Sequence, residues 1–275
     1  MSAVGQPGWQ PHTVRQLNGR ARLTELPAQV QIVTRTWNRV VAVPYIVYMP
    51  EKDRLLMLVS CDYPHSAMLL ESEDHGATWS APRPVHADAA GRPDAPMGVS
   101  LTYLGQGKVI LCAGPRWFSN DYGETWQESL PIPPARGGGP FYQWDPLLVD
   151  RDPTTRQVVR IAETGYNVTK GWSDAFIRFS TDEGRTWSDP LAPPEWHKVN
   201  EVALVRARNG DIVAACRTDF QGKFRTQVDH YEGLAVSISK DNGYTWSVRK
   251  WLYNWGRHHP SMVLLPSGDI VMTYV

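Results

Sequence analysis

Ser72-Glu73-Asp74-His75-Gly76-Ala77-Thr78-Trp79 decides the fold, because the chain repeats its pattern three more times. The octets Ser119–Trp126, Ser180–Trp187 and Ser239–Trp246 carry the same five residues, S-x-D-x-G-x-T-W. Their aspartates, Asp74, Asp121, Asp182 and Asp241, are 47, 61 and 59 residues apart. A pattern that recurs at this interval marks a repeat architecture. Each octet reads as a β-hairpin corner. The Asp accepts backbone N–H groups across the turn, and the Gly takes a positive φ that a side chain would resist. Thr and Trp then open the outgoing strand, with the indole packed on a neighbouring unit. One Asp per turn offers too few oxygens for a calcium ion, so the four aspartates read as structural and no metal is expected.

Working outward, each octet follows a second unit of two apolar runs around a polar turn. Val43-PYIVYMPEKDRLLMLVSC, Val99-SLTYLGQGKVILCA, Asp145-PLLVDRDPTTRQVVRIAE and Glu201-VALVRARNGDIVAAC are four copies. Pro260-SMVLLPSGDIVMTYV is a fifth. A hairpin followed by an octet hairpin makes one four-stranded propeller blade. The spacing predicts blades over 40–90, 97–131, 141–192 and 199–254, with half of a fifth after them. Residues 1–28 read as a polar N-terminal segment and 29–275 as the propeller domain. The stretch at Gln29 is expected to supply an outer strand that closes the ring. Val275 falls inside a strand pattern, so the sequence reads as a fragment whose remaining blades lie beyond it.

Composition agrees with an all-β chain. There are 22 Pro and 22 Gly in 275 residues, which leaves little room for long helices. The 28 basic and 28 acidic residues cancel, so the basic excess of a nucleic-acid or acidic-membrane binder is missing. No apolar run reaches membrane-helix length. The polar start reads as lacking a signal peptide, which predicts a cytoplasmic protein. Cys61, Cys112 and Cys216 each end an apolar run and read as buried free thiols in a reducing compartment. No cofactor fingerprint is present.

The octets are those of the Asp-box, or BNR, proteins, and residues 30–275 resemble the sialidase superfamily of six-bladed β-propellers, with about four and a half blades in this chain. The resemblance implies a sialidase-like exo-glycoside hydrolase that cleaves a terminal, acidic sugar with retention, and a carbohydrate as the partner. Sialidases hold the substrate carboxylate with three arginines and use an Asp acid/base and a Tyr nucleophile assisted by a Glu. A neutral Tyr avoids the repulsion that a carboxylate nucleophile would meet at an anionic sugar. Glu201 and Arg217 match the family's Glu-then-Arg hairpin, as partner of the Tyr and second arginine. Asp62, on the loop before the first octet, occupies the place of the acid/base. The family's Arg-Ile-Pro at the start of blade one is replaced here by Ala42-Val43-Pro44. The third arginine and the Tyr would follow the fifth hairpin, and Tyr274 reads as a strand residue. The lost arginine keeps two other readings open, a non-catalytic carbohydrate-binding propeller and a protein-interaction propeller.

Two further places read as ligand-facing. His258, in Arg257-His258-His259-Pro260, precedes the fifth hairpin. Tyr142, in Tyr142-Gln143-Trp144-Asp145, opens blade three and could offer an aromatic platform. Trp172, Trp196, Trp251 and Trp255 lie outside the octets and are further stacking candidates.

Overall fold

The computed structural model describes residues 8–17, 23–219 and 232–275. They form two compact units, Met1–Gly98 and Val99–Val275.

In the first unit, β1 (Gln10–Leu17) and β2 (Leu23–Val30) make an antiparallel hairpin. The strand at Gln29 pairs with Pro11. Both faces of β1 are exposed. It lacks the in–out alternation that marks a half-buried strand, which is why it read only as polar sequence. The first blade follows as a meander of β3 (Val41–Met49), β4 (Arg54–Cys61), β5 (Ser66–Ser72) and β6 (Arg83–Pro84). Its core gathers Met57, Val59, Met68, Leu70 and Trp79, with Val33 and Trp37 packed against it.

The second unit carries three more blades. Blade two is the meander β7 (Gly98–Gly105), β8 (Lys108–Ala113), β9 (Arg116–Ser119) and β10 (Glu128–Leu130). In blade three, β11 (Tyr142–Gln143) and β12 (Leu148–Arg151) share one edge of the long β13 (Val158–Thr169), and β14 (Trp172–Ser180) takes the other. The bridge between Ile177 and Leu191 adds its outer edge. Blade four is β15 (Val199–Arg206), β16 (Ile212–Thr218), β17 (Gly233–Ser239) and β18 (Lys250–Tyr253). A hairpin of β19 (Ser261–Leu264) and β20 (Ile270–Thr273) comes last. The architecture is all-β and propeller-type, with four blades at the predicted places.

The octets fold alike. Asp74 accepts the Thr78 N–H at 2.8 Å and the Thr78 hydroxyl at 2.6 Å, while the Gly76 N–H reaches the Ser72 hydroxyl at 2.7 Å. The same bonds recur at Asp121, Asp182 and Asp241. Two consecutive residues turn left-handed, so His75, Tyr122, Glu183 and Asn242 share the positive φ with their glycines. In the second unit the indoles lock blades together. Trp187 packs with Leu104, Ile110 and Phe118 of blade two, and Trp246 with Leu148, Ile177 and Phe179 of blade three. Each such buried side chain contributes roughly 1.5–3 kcal/mol. Trp196, expected among the stacking candidates, is fully buried with its ring 4.5 Å from Trp246 and belongs to this core. All three cysteines are free and buried, and burial pushes the Cys112 and Cys216 thiols up to about 12.

Candidate functional site

Blades three and four interrupt their first strand near its start. In β15, Val199 pairs with Thr218 and Val202 with Cys216, so Asn200 and Glu201 both stand opposite Arg217. That is a β-bulge, which breaks the pleat and re-aims side chains. In blade three the interruption is the gap between β11 and β12, and Asp145 lies in it. The sequence that predicts plain strands thus builds irregular ones where polar side chains gather.

Glu201 and Arg217 are both buried. Arg217 Nη1 donates to Glu201 Oε1 at 2.7 Å, and its Nε donates to Glu232. His259 Nδ1 stands 2.8 Å from Glu201 Oε2, and its ring is also within 3.0 Å of Arg217 Nη1. Asn200 Nδ2 reaches Asp219 at 3.1 Å and Glu232 at 3.3 Å, while its Oδ1 accepts the Glu201 N–H at 2.7 Å. Burial works against the Arg217 charge, but the two glutamates outweigh it and raise its pKa. The guanidinium is thus already engaged by two carboxylates.

Asp145 is 8% exposed and accepts the backbone N–H of Val202. Burial, and then the charge of Glu201, hold its carboxyl well above the usual range, against the opposing Val202 hydrogen bond and then Arg217. Tyr166 is pushed up to about 12 by burial and Glu201. The Tyr166 ring lies 5.5 Å from that of Tyr142, which is half exposed. One buried oxygen, Gln143 Oε1, accepts no hydrogen bond from the described residues, whereas Glu201 Oε2 faces the His259 ring at 2.8 Å. Buried acceptors left without donors are rare enough to need a cause.

The structure therefore brings Glu201 and Arg217 together. Tyr142 stacks on Tyr166, a neighbour of that pair. Of the two histidines, His259 rather than His258 touches Glu201 and Arg217. His258 is buried, pairs through its backbone with Val275 and meets the His259 ring edge-on. His259 adopts a left-handed φ of 49°, so the chain turns there instead of alternating as a strand does. Asp145, Asn200, Asp219 and Glu232 are residues of the cluster that the sequence reading passed over, and of the two adjacent histidines it singled out His258. A polar residue at the start of an apolar first strand was the signal for Asp145 and Asn200. Glu232 and Asp219 carried none.

Asp62 belongs to the first unit. It sits at φ 65° with Arg39 forked onto its carboxylate at 2.6 and 3.1 Å. That bonding lowers the Asp62 pKa, which suits a carboxylate and opposes a proton donor. Val43, in the tripeptide that replaces Arg-Ile-Pro, adopts φ 51° at a second β-bulge.

No family profile matches the chain, and no curated protein matches its sequence. Solved structures do match its fold. A Hadza microbial sialidase aligns with a TM-score of 0.59 at 15% identity, over 85% of this chain and 52% of that one. The Trypanosoma rangeli sialidase in complex with sialic acid gives 0.58 at 14% identity, over 98% and 48%. The Penicillium chrysogenum α-L-arabinanase complexed with arabinobiose gives 0.56 at 15% identity, over 86% and 76%. The chain thus spans about half the length of these two sialidases. It shares the β-propeller fold of sialidases and other propeller glycosidases.

Proposed function

We propose that the chain forms the glycan site of a propeller glycoside hydrolase, and that its sugar is neutral. The carrying observation is an arginine that two glutamates already engage, together with a buried acceptor, Gln143 Oε1, that is left without a donor. Acceptors without donors suit sugar hydroxyls, which donate. A substrate carboxylate would add a third anion to Arg217 and meet the charges of Glu201 and Glu232. Ala42 in place of the first family arginine points the same way. Half-exposed Tyr142 supplies the apolar face on which a sugar ring stacks. The arabinobiose of the fungal arabinanase is a ligand of this neutral class. Glu201 keeps the role of functional carboxylate, and Arg217 becomes its positioning partner instead of a clamp for an acidic sugar.

Isothermal titration with arabinobiose and with sialyl-lactose tests this reading. Arabinobiose is expected to bind, and Glu201→Gln to weaken it at least tenfold. Binding of sialyl-lactose alone would overturn it.

One observation favours the non-catalytic reading. The carboxyl in the family's acid/base place, Asp62, is held ionised by Arg39. A propeller that binds arabinobiose tightly and hydrolyses no glycoside would fit it.

A further inference from the structure

Glycosidic bond cleavage needs a proton for the departing oxygen, and with Asp62 ion-paired the donor must be sought elsewhere. We propose that Asp145 is the proton donor to the glycosidic oxygen of a neutral sugar bound beside Glu201, an inference that rests on the function proposed above.

The geometry carries it. Asp145 hangs from the gap between β11 and β12, so its backbone is free of the strand ladder there. Its carboxyl is tied to the Val202 N–H, which places it one residue from Glu201. The charged and titratable groups that act on it are Glu201, Arg217 and Cys216. Arg217 gives its hydrogen bonds to Glu201 and Glu232. Burial pushes the Cys216 thiol up to about 12, so it adds no charge at neutral pH. Two carboxyl groups in one buried place cannot both ionise cheaply. Glu201 holds the Arg217 cation through a hydrogen bond, whereas Asp145 stands in the buried place beside that pair with its pKa raised. Burial and the charge of Glu201, which raise the Asp145 pKa, act in the same direction. Paired carboxyl groups in environments that differ in this way divide the acid and anionic roles between them.

The step balances. The proton passes from the Asp145 carboxyl to the glycosidic oxygen as the bond from the anomeric carbon to that oxygen breaks. The electron pair leaves with the alcohol, and the Glu201 carboxylate stabilises the positive charge on the sugar. Water then bonds to the anomeric carbon and returns a proton to Asp145.

The test compares wild type and Asp145→Asn on arabinobiose and on 2,4-dinitrophenyl α-L-arabinofuranoside. The dinitrophenolate leaves without a proton. A proton donor therefore predicts a loss of about 10²–10⁴-fold on arabinobiose and a far smaller loss on the activated glycoside. A merely structural residue would lower both rates alike, and that result would overturn the assignment. Equal hydrolysis of arabinobiose by both proteins would overturn it too, while leaving the proposed function standing. Wild type that binds arabinobiose without cleaving it would remove Asp145 as a donor and leave a binding propeller. Wild type that neither binds nor cleaves would remove both.

A second readout does not depend on the variant folding. In wild type labelled with ¹³C at the aspartate carboxyls, one buried carboxyl should titrate well above the ordinary carboxylate range. Glu201→Gln, which removes the neighbouring charge, should shift that titration to lower pH. Aspartates that all titrate in or below the ordinary carboxylate range would contradict the proposal.

Discussion

The second unit holds two buried clusters of opposite composition. In one, Arg116 and Arg178 share Glu163, with Arg178 Nε 2.7 Å from Glu163 Oε2. In the other, Glu201 and Glu232 share Arg217. The first is sealed. Its three side chains are at most 1% exposed, and Phe141 and Trp187 lie against the guanidinium faces at 3.8 and 4.6 Å. It joins β9 of blade two to β13 and β14 of blade three and works as a brace. The second adjoins the surface. His259 is a third exposed, and Tyr142 is half exposed on the Tyr166 ring. Similar ionic chemistry thus forms a sealed brace where aromatic rings close over it and the proposed sugar site where half-exposed rings border it.

The largest expected effect lies in the sealed cluster. Glu163→Gln would leave two buried guanidinium groups without a carboxylate, and breaking a buried pair in this way costs about 3–5 kcal/mol. Urea unfolding should show that loss, with no specific effect on sugar affinity in the fraction that remains folded. The counterpart Glu201→Gln should behave in the opposite manner. Arg217 keeps Glu232 as a partner and Asp145 loses a like charge, so stability should fall by less than in Glu163→Gln while arabinobiose binding is lost. If the two variants destabilise equally and bind equally, the contrast between brace and site is wrong.

The response to pH separates two classes of aspartate. Hydrogen bonds from Thr186 outweigh burial at Asp182, and bonds from Thr245 act at Asp241, so both pKa values fall to about 2. Their contribution is present above the unfolded value of about 3.9 and is lost as pH falls toward 2. Asp145 has the opposite sign. Its contribution is complete below about 3.9 and declines as pH rises through its native value, because the unfolded chain releases that proton first. Melting curves from pH 2 to 8 should therefore show an acid loss shared by wild type and Asp145→Asn, and a decline above pH 4 that is weaker in Asp145→Asn. Matching curves above pH 4 would mean that Asp145 titrates normally.

The smallest effect is expected at Arg39, whose ion pair with Asp62 is solvent-exposed. Exposed pairs of this kind add little to stability. Arg39→Ala should leave the melting temperature of the first unit nearly unchanged and return the Asp62 titration to the ordinary range, as followed by carboxyl NMR.

The fold was largely legible in the sequence, because the octet states its own hydrogen bonds. Asp, Gly and Thr at fixed offsets specify one turn, and the recurrence of that turn sets the blades. The site was legible only where one strand pair carried it, at Glu201 and Arg217 across a bulge. The roles of Asp145 and His259 stayed hidden because they depend on contacts between blade three, blade four and the last hairpin, which no local period encodes. The hairpin of β1 and β2 stayed hidden for another reason. It buries neither face, so it leaves no alternation to read.

The most direct test of the account is a crystal of the chain soaked in arabinobiose. The account predicts a sugar ring stacked on Tyr142, with a hydroxyl group donating to Gln143 Oε1 and the Arg217 bonds to Glu201 and Glu232 intact. Sugar seated elsewhere, or an acidic sugar whose carboxylate displaces those glutamates from Arg217, would contradict it.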